Sequence, residues 1–252
     1  MCWKFNVGFA ILLSTQVAIA EENSWKGEGE LGITQTTGNT ENHNIVAKLG
    51  LTRELDLWIH EATLEFLRTE NDSELAAERY ELNWQSDYEL SEKSYLFGKA
   101  RYEDDSFTGY KYQASLSTGY GYEVFETDID SLKLKIGIGM RTFEVEVGSE
   151  ADSKKDGFGM EIESGSESDQ EAIGVLGLHY TRKIGSNTEF AQDFLVESGS
   201  ENTYIRSDTG LTVKMTDMLA LKISLQIKNN TEVPVGKEKT DTVSAVTMVY
   251  SF

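Results

Sequence analysis

The sequence predicts an all-β protein, a transmembrane antiparallel up-and-down β-barrel of about 12 strands. Three observations support this fold class. Apolar and polar residues alternate along many segments, aromatic residues recur at both ends of those segments, and the chain ends on an alternating apolar stretch. The alternation is clearest in residues 219–228, where leucines and isoleucines alternate with alanine, lysine, serine and glutamine. A strand places these two sets on opposite faces.

The first 20 residues predict a cleaved secretory signal. Lys4 is followed by an apolar run over residues 5–17, and Ala18-Ile19-Ala20 offers small residues at the two positions that a signal peptidase reads. The apolar run is shorter than the ~20 residues of a membrane helix, which disfavours an uncleaved anchor. We therefore expect a signal peptide over residues 1–20 and one barrel domain over residues 21–252.

The composition excludes two kinds of chemistry. The chain has 43 acidic against 23 basic residues and a net charge of -20, so it repels nucleic acid and we expect no nucleic-acid partner. Its single cysteine, Cys2, lies inside the predicted signal. The barrel domain is therefore expected to carry no disulfide and no thiol chemistry.

The alternating segments are about 9–14 residues long, the length that a tilted strand needs to cross a bilayer. Short turns join them at one end and longer polar segments at the other, as in outer-membrane barrels, whose short turns are periplasmic. The longest polar segment, 144–170, is predicted to be an acidic extracellular loop. The predicted strands lie near residues 24–36, 41–54, 58–69, 77–89, 95–103, 110–124, 131–143, 171–183, 188–198, 203–215, 219–229 and 241–252.

The apolar face is predicted to contact lipid. A soluble sandwich or barrel would show the same alternation with its apolar face turned inward. The aromatic residues favour lipid because they fall at both ends of the strands, where amphipathic rings settle at the headgroup level. Those at the short-turn ends are Trp25, Trp58, Tyr88, Tyr122, Tyr180, Phe190 and Phe252, and those towards the long-loop ends are Phe66, Tyr80, Tyr102 and Tyr110.

The polar face is predicted to line the lumen. Acidic and basic residues nearly balance on it, so most of the excess negative charge must lie in loops and turns. An enclosed lumen favours paired charges, because an unpaired ion there loses part of its hydration. The predicted lumen-lining residues are Lys26, Glu28, Glu30, Arg79, Glu81, Asp87, Arg101, Lys133, Lys135, Arg141, Asp193, Arg206 and Lys222.

The C-terminus predicts an assembly signal. Val246, Met248, Tyr250 and Phe252 alternate up to a terminal phenylalanine, a pattern that resembles the signature read by barrel-assembly machinery. We take Tyr250 and Phe252 as the assembly residues. The expected partners are this machinery during biogenesis, then outer-membrane lipids and lipopolysaccharide, with ions or small solutes inside the barrel.

Four stretches of the chain carry a family resemblance. They are GEGELGITQTTGNTE (27–41), AERY (77–80), DYELSEKSYLFGKARYEDDSFTGYKYQASLSTGYGY (87–122) and the final YSF. Together they resemble the bacterial domain-of-unknown-function family 481, whose members are often labelled salt-induced outer-membrane proteins. The resemblance implies a β-barrel in the cell outer membrane and transfers no catalytic residue. Segment 144–170 is longer and more acidic than the resemblance leads us to expect.

A search for enzymatic chemistry is negative. The chain has no G-x-S-x-G motif, which disfavours hydrolases with a nucleophile elbow. Outer-membrane phospholipases carry a histidine and a serine close together on the lipid face. None of His43, His60 and His179 has a serine two residues on, and His179-Tyr180-Thr181 comes nearest. We expect polar lumen or rim histidines and no enzyme.

No metal or cofactor is expected either. Glu103-Asp104-Asp105 and the run Glu150, Asp152, Asp156 offer the oxygen ligands that calcium prefers. Neither group has the spacing of a defined calcium loop, and Lys154 and Lys155 interrupt the second. Solvated acidic segments are therefore the favoured interpretation.

Four glycines lie inside strands on the polar face: Gly119, Gly121, Gly137 and Gly139. Because they lack side chains, they are expected to leave room in the lumen or to permit strand curvature. Tyr204, on the same inner face, is the candidate to fill such a gap.

Three functions from different classes stay open. The favoured one is a narrow pore for ions or small hydrophilic solutes, with a link to osmotic or salt stress. Its 12 strands fall between the ~8 of filled barrels and the ~16 of open porins. The alternative is a non-conducting envelope protein, linked to osmotic or salt stress, that acts through its acidic loops. A lipid hydrolase ranks last.

Overall fold

The computed structural model is a closed barrel of twelve antiparallel strands, in which neighbours in sequence are neighbours in the sheet and β12 returns to β1. Residues 24–36, 42–71, 74–105, 108, 110–145, 168–234 and 236–252 are described. The predicted signal peptide, residues 1–20, lies outside them. The strands are β1 (Lys26–Thr36), β2 (Asn42–Leu55), β3 (Trp58–Asn71), β4 (Glu74–Ser91), β5 (Ser94–Asp105), β6 (Tyr110–Glu126), β7 (Asp130–Val145), β8 (Ser168–Ile184), β9 (Thr188–Ser198), β10 (Thr203–Lys214), β11 (Leu219–Asn230) and β12 (Thr240–Ser251).

The fold class predicted from the sequence is therefore confirmed, with the predicted number of strands. Each consecutive pair of strands is an antiparallel hairpin, and each strand is long enough for a tilted crossing of a bilayer. No helix in the described ranges is both long and apolar enough to cross a membrane.

The last residue closes the barrel. The Gly27 N–H donates to the Phe252 carbonyl at 2.8 Å, and the Phe252 N–H donates to the Gly27 carbonyl at 2.9 Å. The Phe252 ring covers Gly27 so closely that a Cβ added there would lie 2.4 Å from it. The terminal phenylalanine thus has a packing role in the folded barrel, in addition to its predicted role in assembly.

Several strands run further at the long-loop end than the alternation predicts. The fifth strand continues to Asp105, the fourth begins at Glu74 and the eighth begins at Ser168. Beyond the outer aromatic residues the outward side chains become polar, as at Arg68 and Asp104, while the ladder of backbone pairs continues. The apolar alternation stops there, although the strand does not.

The two faces of the wall are oriented as predicted. Outward side chains such as Ile33, Leu116 and Ile138 are 66–72% exposed, whereas inward Arg101 and Arg141 are 3% and 1% exposed. A soluble barrel would have the opposite arrangement. The outer surface is apolar and the interior is charged, which is the construction of an outer-membrane barrel.

One aromatic residue is not where the sequence predicts. Tyr110 was expected on the lipid-facing set, but it is 5% exposed and packs inside against Phe143, with ring centroids 5.5 Å apart. Its hydroxyl donates to the Glu232 carbonyl at 2.8 Å. The pairing register of β6 shifts between Tyr110 and Tyr112, so Tyr112 takes the outward position and stacks on Tyr102. A single-residue irregularity reverses the faces of a strand.

Candidate functional site

The candidate site is the lumen, and its centre is Arg206 on β10. The Arg206 guanidinium contacts three carboxylates: Nη1 lies 2.5 Å from Glu81, Nη2 lies 2.9 Å from Glu65, and Nε lies 2.5 Å from Asp208. Glu81 is 1% exposed. A guanidinium has five N–H donors in a fixed fork, so it can satisfy several carboxylates at once.

The ion pairs continue across the lumen from Glu81. The Lys228 ammonium on β11 lies 2.7 Å from Glu81 and 2.9 Å from Glu103. Arg101 on β5 then joins Glu103 at 2.6 Å to Glu197 on β9 at 2.9 Å. We call this set the transverse network: Glu65, Glu81, Glu103, Glu197, Asp208, Arg101, Arg206 and Lys228.

The transverse network spans the width of the barrel. In a ring of twelve strands β10 lies opposite β4, and β11 lies opposite β5. Arg206 on β10 reaches Glu81 on β4, and Lys228 on β11 reaches Glu103 on β5. Buried charges of both signs therefore join opposite walls, in the half of the lumen nearer the long loops.

An apolar cluster packs beside this network. The Tyr204 ring, with no exposed surface, lies 4.2 Å from the Arg101 guanidinium carbon, which is a cation–π contact. Tyr204 also packs with inward Ile173, Val175 and Leu195. These side chains pack on the inner face of β8, β9 and β10, beside the ion pairs.

Further ion pairs lie beside the network at the long-loop end. Arg79 pairs with Asp105 at 3.8 Å and donates to Gln226. Arg141 pairs with Glu171 and donates to the Asn202 carbonyl. The sequence left Glu103-Asp104-Asp105 as either calcium ligands or a solvated loop, with the loop favoured. In the structure Glu103 and Asp105 are buried in β5 and pair with cationic side chains of the lumen. The second run considered, 150–156, lies outside the described residues.

A cavity of about 470 Å³ extends through the lumen from the short-turn side into the network, where Glu81, Arg206 and the neighbouring Arg79 are among the residues that line it. Charges of both signs line it, and several are paired: Lys48 with Glu65 at 3.1 Å and His179 with Asp193 at 2.6 Å. A second cavity of about 320 Å³ lies at the short-turn mouth. The two share Glu30 and Lys222, which pair at 2.7 Å.

The glycines in β6 and β7 make room for aromatic side chains, but not for Tyr204. A Cβ at Gly121 would lie 2.0 Å from the Tyr95 ring, and a Cβ at Gly119 or Gly137 would lie 2.8 Å from Phe97. The sequence-based choice of Tyr204 was therefore wrong. Tyr95 and Phe97 lie on the adjacent strand β5, as the register partners of Gly121 and Gly119. They are four and two residues before the inward Lys99, so the period of two predicts that they also point inward.

All thirteen predicted lumen residues lie on the inward parity of their strands, in three zones. Lys26 and Glu28 are at the short-turn mouth, where Lys26 pairs with Glu54 at 3.1 Å. The cavity is lined by Glu30, Asp87, Lys133, Lys135, Asp193 and Lys222. The buried half holds Arg79, Glu81, Arg101, Arg141 and Arg206, and the first, second and last of these also line the cavity.

Five members of the network were not among those thirteen predicted residues: Glu65, Glu103, Glu197, Asp208 and Lys228. Lys228 lies six residues after Lys222 on β11, and Glu197 lies four residues after Asp193 on β9, so both share an inward face that the sequence identifies. The alternation of inward and outward residues along a strand is enough to place both in the lumen. It does not show that they meet across the barrel.

Comparison with known proteins gives a family and a fold. The model of the family described as "Protein of unknown function, DUF481" matches residues 29–252. "Uncharacterized protein YdiY" of Escherichia coli (strain K12) is 24% identical over 233 residues, covering 90% of this chain and 83% of that protein.

Solved barrels are similar at low identity. The translocator domain of autotransporter NalP from Neisseria meningitidis is 13% identical with a TM-score of 0.48, covering 90% of this chain and 88% of that one. The NanC porin is 12% identical with a TM-score of 0.45, covering 90% and 98%. The match to the family model extends from the first strand to the last residue, which is most of the chain. The chain belongs to the DUF481 family of proteins of unknown function.

Proposed function

We propose that the protein is a narrow outer-membrane pore for ions or small hydrophilic solutes, closed by the transverse network. One observation carries this proposal: a charged cavity leads from the short-turn mouth into the barrel and ends among the buried ion pairs that join opposite walls. A barrel that only anchors loops needs no such cavity. An apolar interior would fill the same space at a lower cost in desolvation.

The charges of the network predict the selectivity of the open state. It holds five carboxylates and, with Lys48 beside Glu65, four cationic groups. Rings of like charge select ions strongly, whereas mixed charges do so weakly. We therefore expect a weak preference for cations and no preference between ions of one sign.

A closure made of ion pairs also gives the proposed link to salt stress a physical basis. The Debye length falls from about 10 Å at 0.1 M salt to about 3 Å at 1 M, and partly exposed pairs weaken most. Arg206 and Asp208 are such members, with side chains 11% and 30% exposed. We expect conductance to rise more steeply with salt concentration than the conductivity of the solution does.

Single-channel recording in planar bilayers tests the pore. The variant Lys228→Ala/Glu103→Ala removes one cation and one anion from the middle of the network and leaves Glu81 with Arg206 and Arg101 with Glu197. We expect small or rare conductance steps from the wild type and steps several-fold larger from this variant. The control Lys222→Ala/Glu30→Ala removes a pair between the two cavities, outside the network. It is expected to behave as the wild type.

Absence of conductance steps in all three proteins would contradict the pore. The second candidate would then stand, a non-conducting envelope protein that acts through its acidic loops. It is favoured by the buried ion pairs that join opposite walls of the lumen. In either case we propose no catalytic role, a surrounding of outer-membrane lipid and lipopolysaccharide, and recognition of Tyr250 and Phe252 during assembly.

A further inference from the structure

Three polar side chains form a row on the lipid-facing surface. Arg53 on β2 is the register partner of His60 on β3, which is the partner of Ser86 on β4. The aromatic pair Trp58 and Tyr88 lies two residues nearer the turns. The polar row is therefore on the hydrocarbon side of that pair, where polar groups are costly unless they have partners.

Tryptophan side chains surround this row. The chain has four tryptophans, and the three that follow the predicted signal are Trp25, Trp58 and Trp84. Trp58 stacks on His60 with ring centroids 5.8 Å apart, and Trp84 lies 5.9 Å from His60 on the other side. Trp25 meets Trp84 at 6.3 Å. A girdle that only anchors the barrel would distribute these rings around its circumference.

The polar groups are held in fixed positions within the rings. The Trp84 indole N–H donates to Ser86 Oγ at 2.9 Å, and His60 Nδ1 lies 2.9 Å from the same oxygen. The Arg53 guanidinium carbon lies 5.8 Å from the Trp25 ring centroid. These contacts use one imidazole nitrogen of His60 and place the Arg53 guanidinium beside an indole ring on the outward face of the barrel. We call Arg53, His60, Ser86 and the three tryptophans the tryptophan niche.

We propose that the tryptophan niche binds the headgroup phosphate of one phospholipid from the leaflet at the short-turn end. The guanidinium of Arg53 and the imidazole of His60 donate to phosphate oxygens, since guanidinium and phosphate match in geometry and charge. The indole rings, each 41–44% exposed, pack on the glycerol and the upper acyl chains. A chain of net charge -20 otherwise repels anionic lipid, so a local cation in an apolar setting is the feature that selects this ligand.

Lipid binding at the niche rests on the proposed outer-membrane location, but it does not require that the barrel conducts ions. The niche is on the outer surface, and the transverse network is inside. A failure of the niche therefore leaves the recordings unchanged. Conversely, a barrel that does not conduct can still bind lipid at this place.

Lipid titration with intrinsic fluorescence tests the niche directly. All tryptophans of the barrel domain lie in it, so quenching of their emission reports this place alone. The delipidated barrel in detergent is titrated with a phosphatidylglycerol whose acyl chains carry bromine close to the headgroup, and bound lipids are counted by native mass spectrometry. We expect saturable quenching and one retained lipid per barrel.

Two variants and a matched control separate headgroup binding from general lipid contact. Arg53→Gln is expected to weaken the apparent affinity about tenfold, and His60→Gln several-fold. Arg68→Gln removes the outward arginine at the long-loop end, which pairs with Glu70 at 2.5 Å and Glu78 at 3.3 Å, and should change the affinity less than twofold. Arg53→Lys should recover part of the loss.

The opposite results would overturn the proposal. Equal affinities for Arg53→Gln and Arg68→Gln would show contact with lipid chains alone. Displacement of the brominated lipid by millimolar inorganic phosphate would show a site for free anions. If Arg53→Gln does not fold, the decision falls to two other results. An unchanged affinity in His60→Gln, with no lipid retained on the wild type, would then overturn the proposal.

Discussion

Lys228→Met is the substitution that probes the transverse network most sharply. The Lys228 side chain is 1% exposed. Its ammonium reaches from β11 across the lumen to Glu81 at 2.7 Å and Glu103 at 2.9 Å, which are register partners on the adjacent strands β4 and β5. Methionine has similar length and no charge. The variant therefore leaves two buried carboxylates side by side on adjacent strands without the cation that bridges them.

The expected destabilisation follows from this geometry. Removing one partner of a buried ion pair costs about 3–5 kcal/mol, because a buried charge is left uncompensated. Glu81 keeps Arg206 at 2.5 Å and Glu103 keeps Arg101 at 2.6 Å, so we expect a loss at the lower end of that range, about 3 kcal/mol. Adding Glu103→Gln removes one of these two carboxylate charges and should restore about 1 kcal/mol or more of the lost stability.

The free energy of unfolding is measured by denaturant titration of the barrel refolded in lipid vesicles. The control is Lys26→Met, whose partner Glu54 is at 3.1 Å but whose ammonium is at the mouth, with both side chains more than half exposed. An exposed pair contributes about 0–1 kcal/mol, so Lys26→Met should be nearly neutral. Equal losses for the two lysine variants would refute the idea that the network is a buried, mutually dependent layer.

Two further substitutions test the packing of the wall. Gly121→Ala should lower the free energy of unfolding by about 1–3 kcal/mol, because the new methyl group would lie 2.0 Å from the Tyr95 ring. Adding Tyr95→Ala to the same chain should remove most of that loss. Additive losses in the double variant would count against this contact. Phe252→Ala should reduce the yield of heat-modifiable, assembled barrel several-fold, because it removes the ring over Gly27 at the seam. The control is Phe194→Ala, which removes an outward phenylalanine away from the seam and should leave the yield unchanged. Equal yields from the two variants would argue that the seam needs only its backbone hydrogen bonds.

Much of the fold was predictable because each strand has one lipid-facing and one lumen-facing side. The period of two identified all twelve strands and the inward position of residues such as Arg101 and Arg206. It failed where the outward environment changes from lipid to water. There Arg68 and Asp104 replace apolar residues although the ladder continues, so the strand ends were placed too early.

The arrangement of the site was less predictable, for a geometric reason. Periodicity says which side of the wall a residue lies on, but not which residue it faces across the lumen. The contact between Arg206 and Glu81 joins strands far apart in sequence and depends on how the barrel closes. The serine beside His60 likewise comes from the adjacent strand, so a search along the sequence for a nearby serine does not find Ser86.

The central claim is that water reaches the polar face and lipid covers the apolar face. Because the only natural cysteine is Cys2, single-cysteine variants of the barrel domain are readily made at adjacent positions of β11. Ser224 lines the cavity and Ile223, 55% exposed, points outward. In lipid vesicles, Ser224→Cys should react with a small membrane-impermeant thiol reagent, and Ile223→Cys only with a lipid-soluble maleimide. The reverse pattern of labelling would contradict the account.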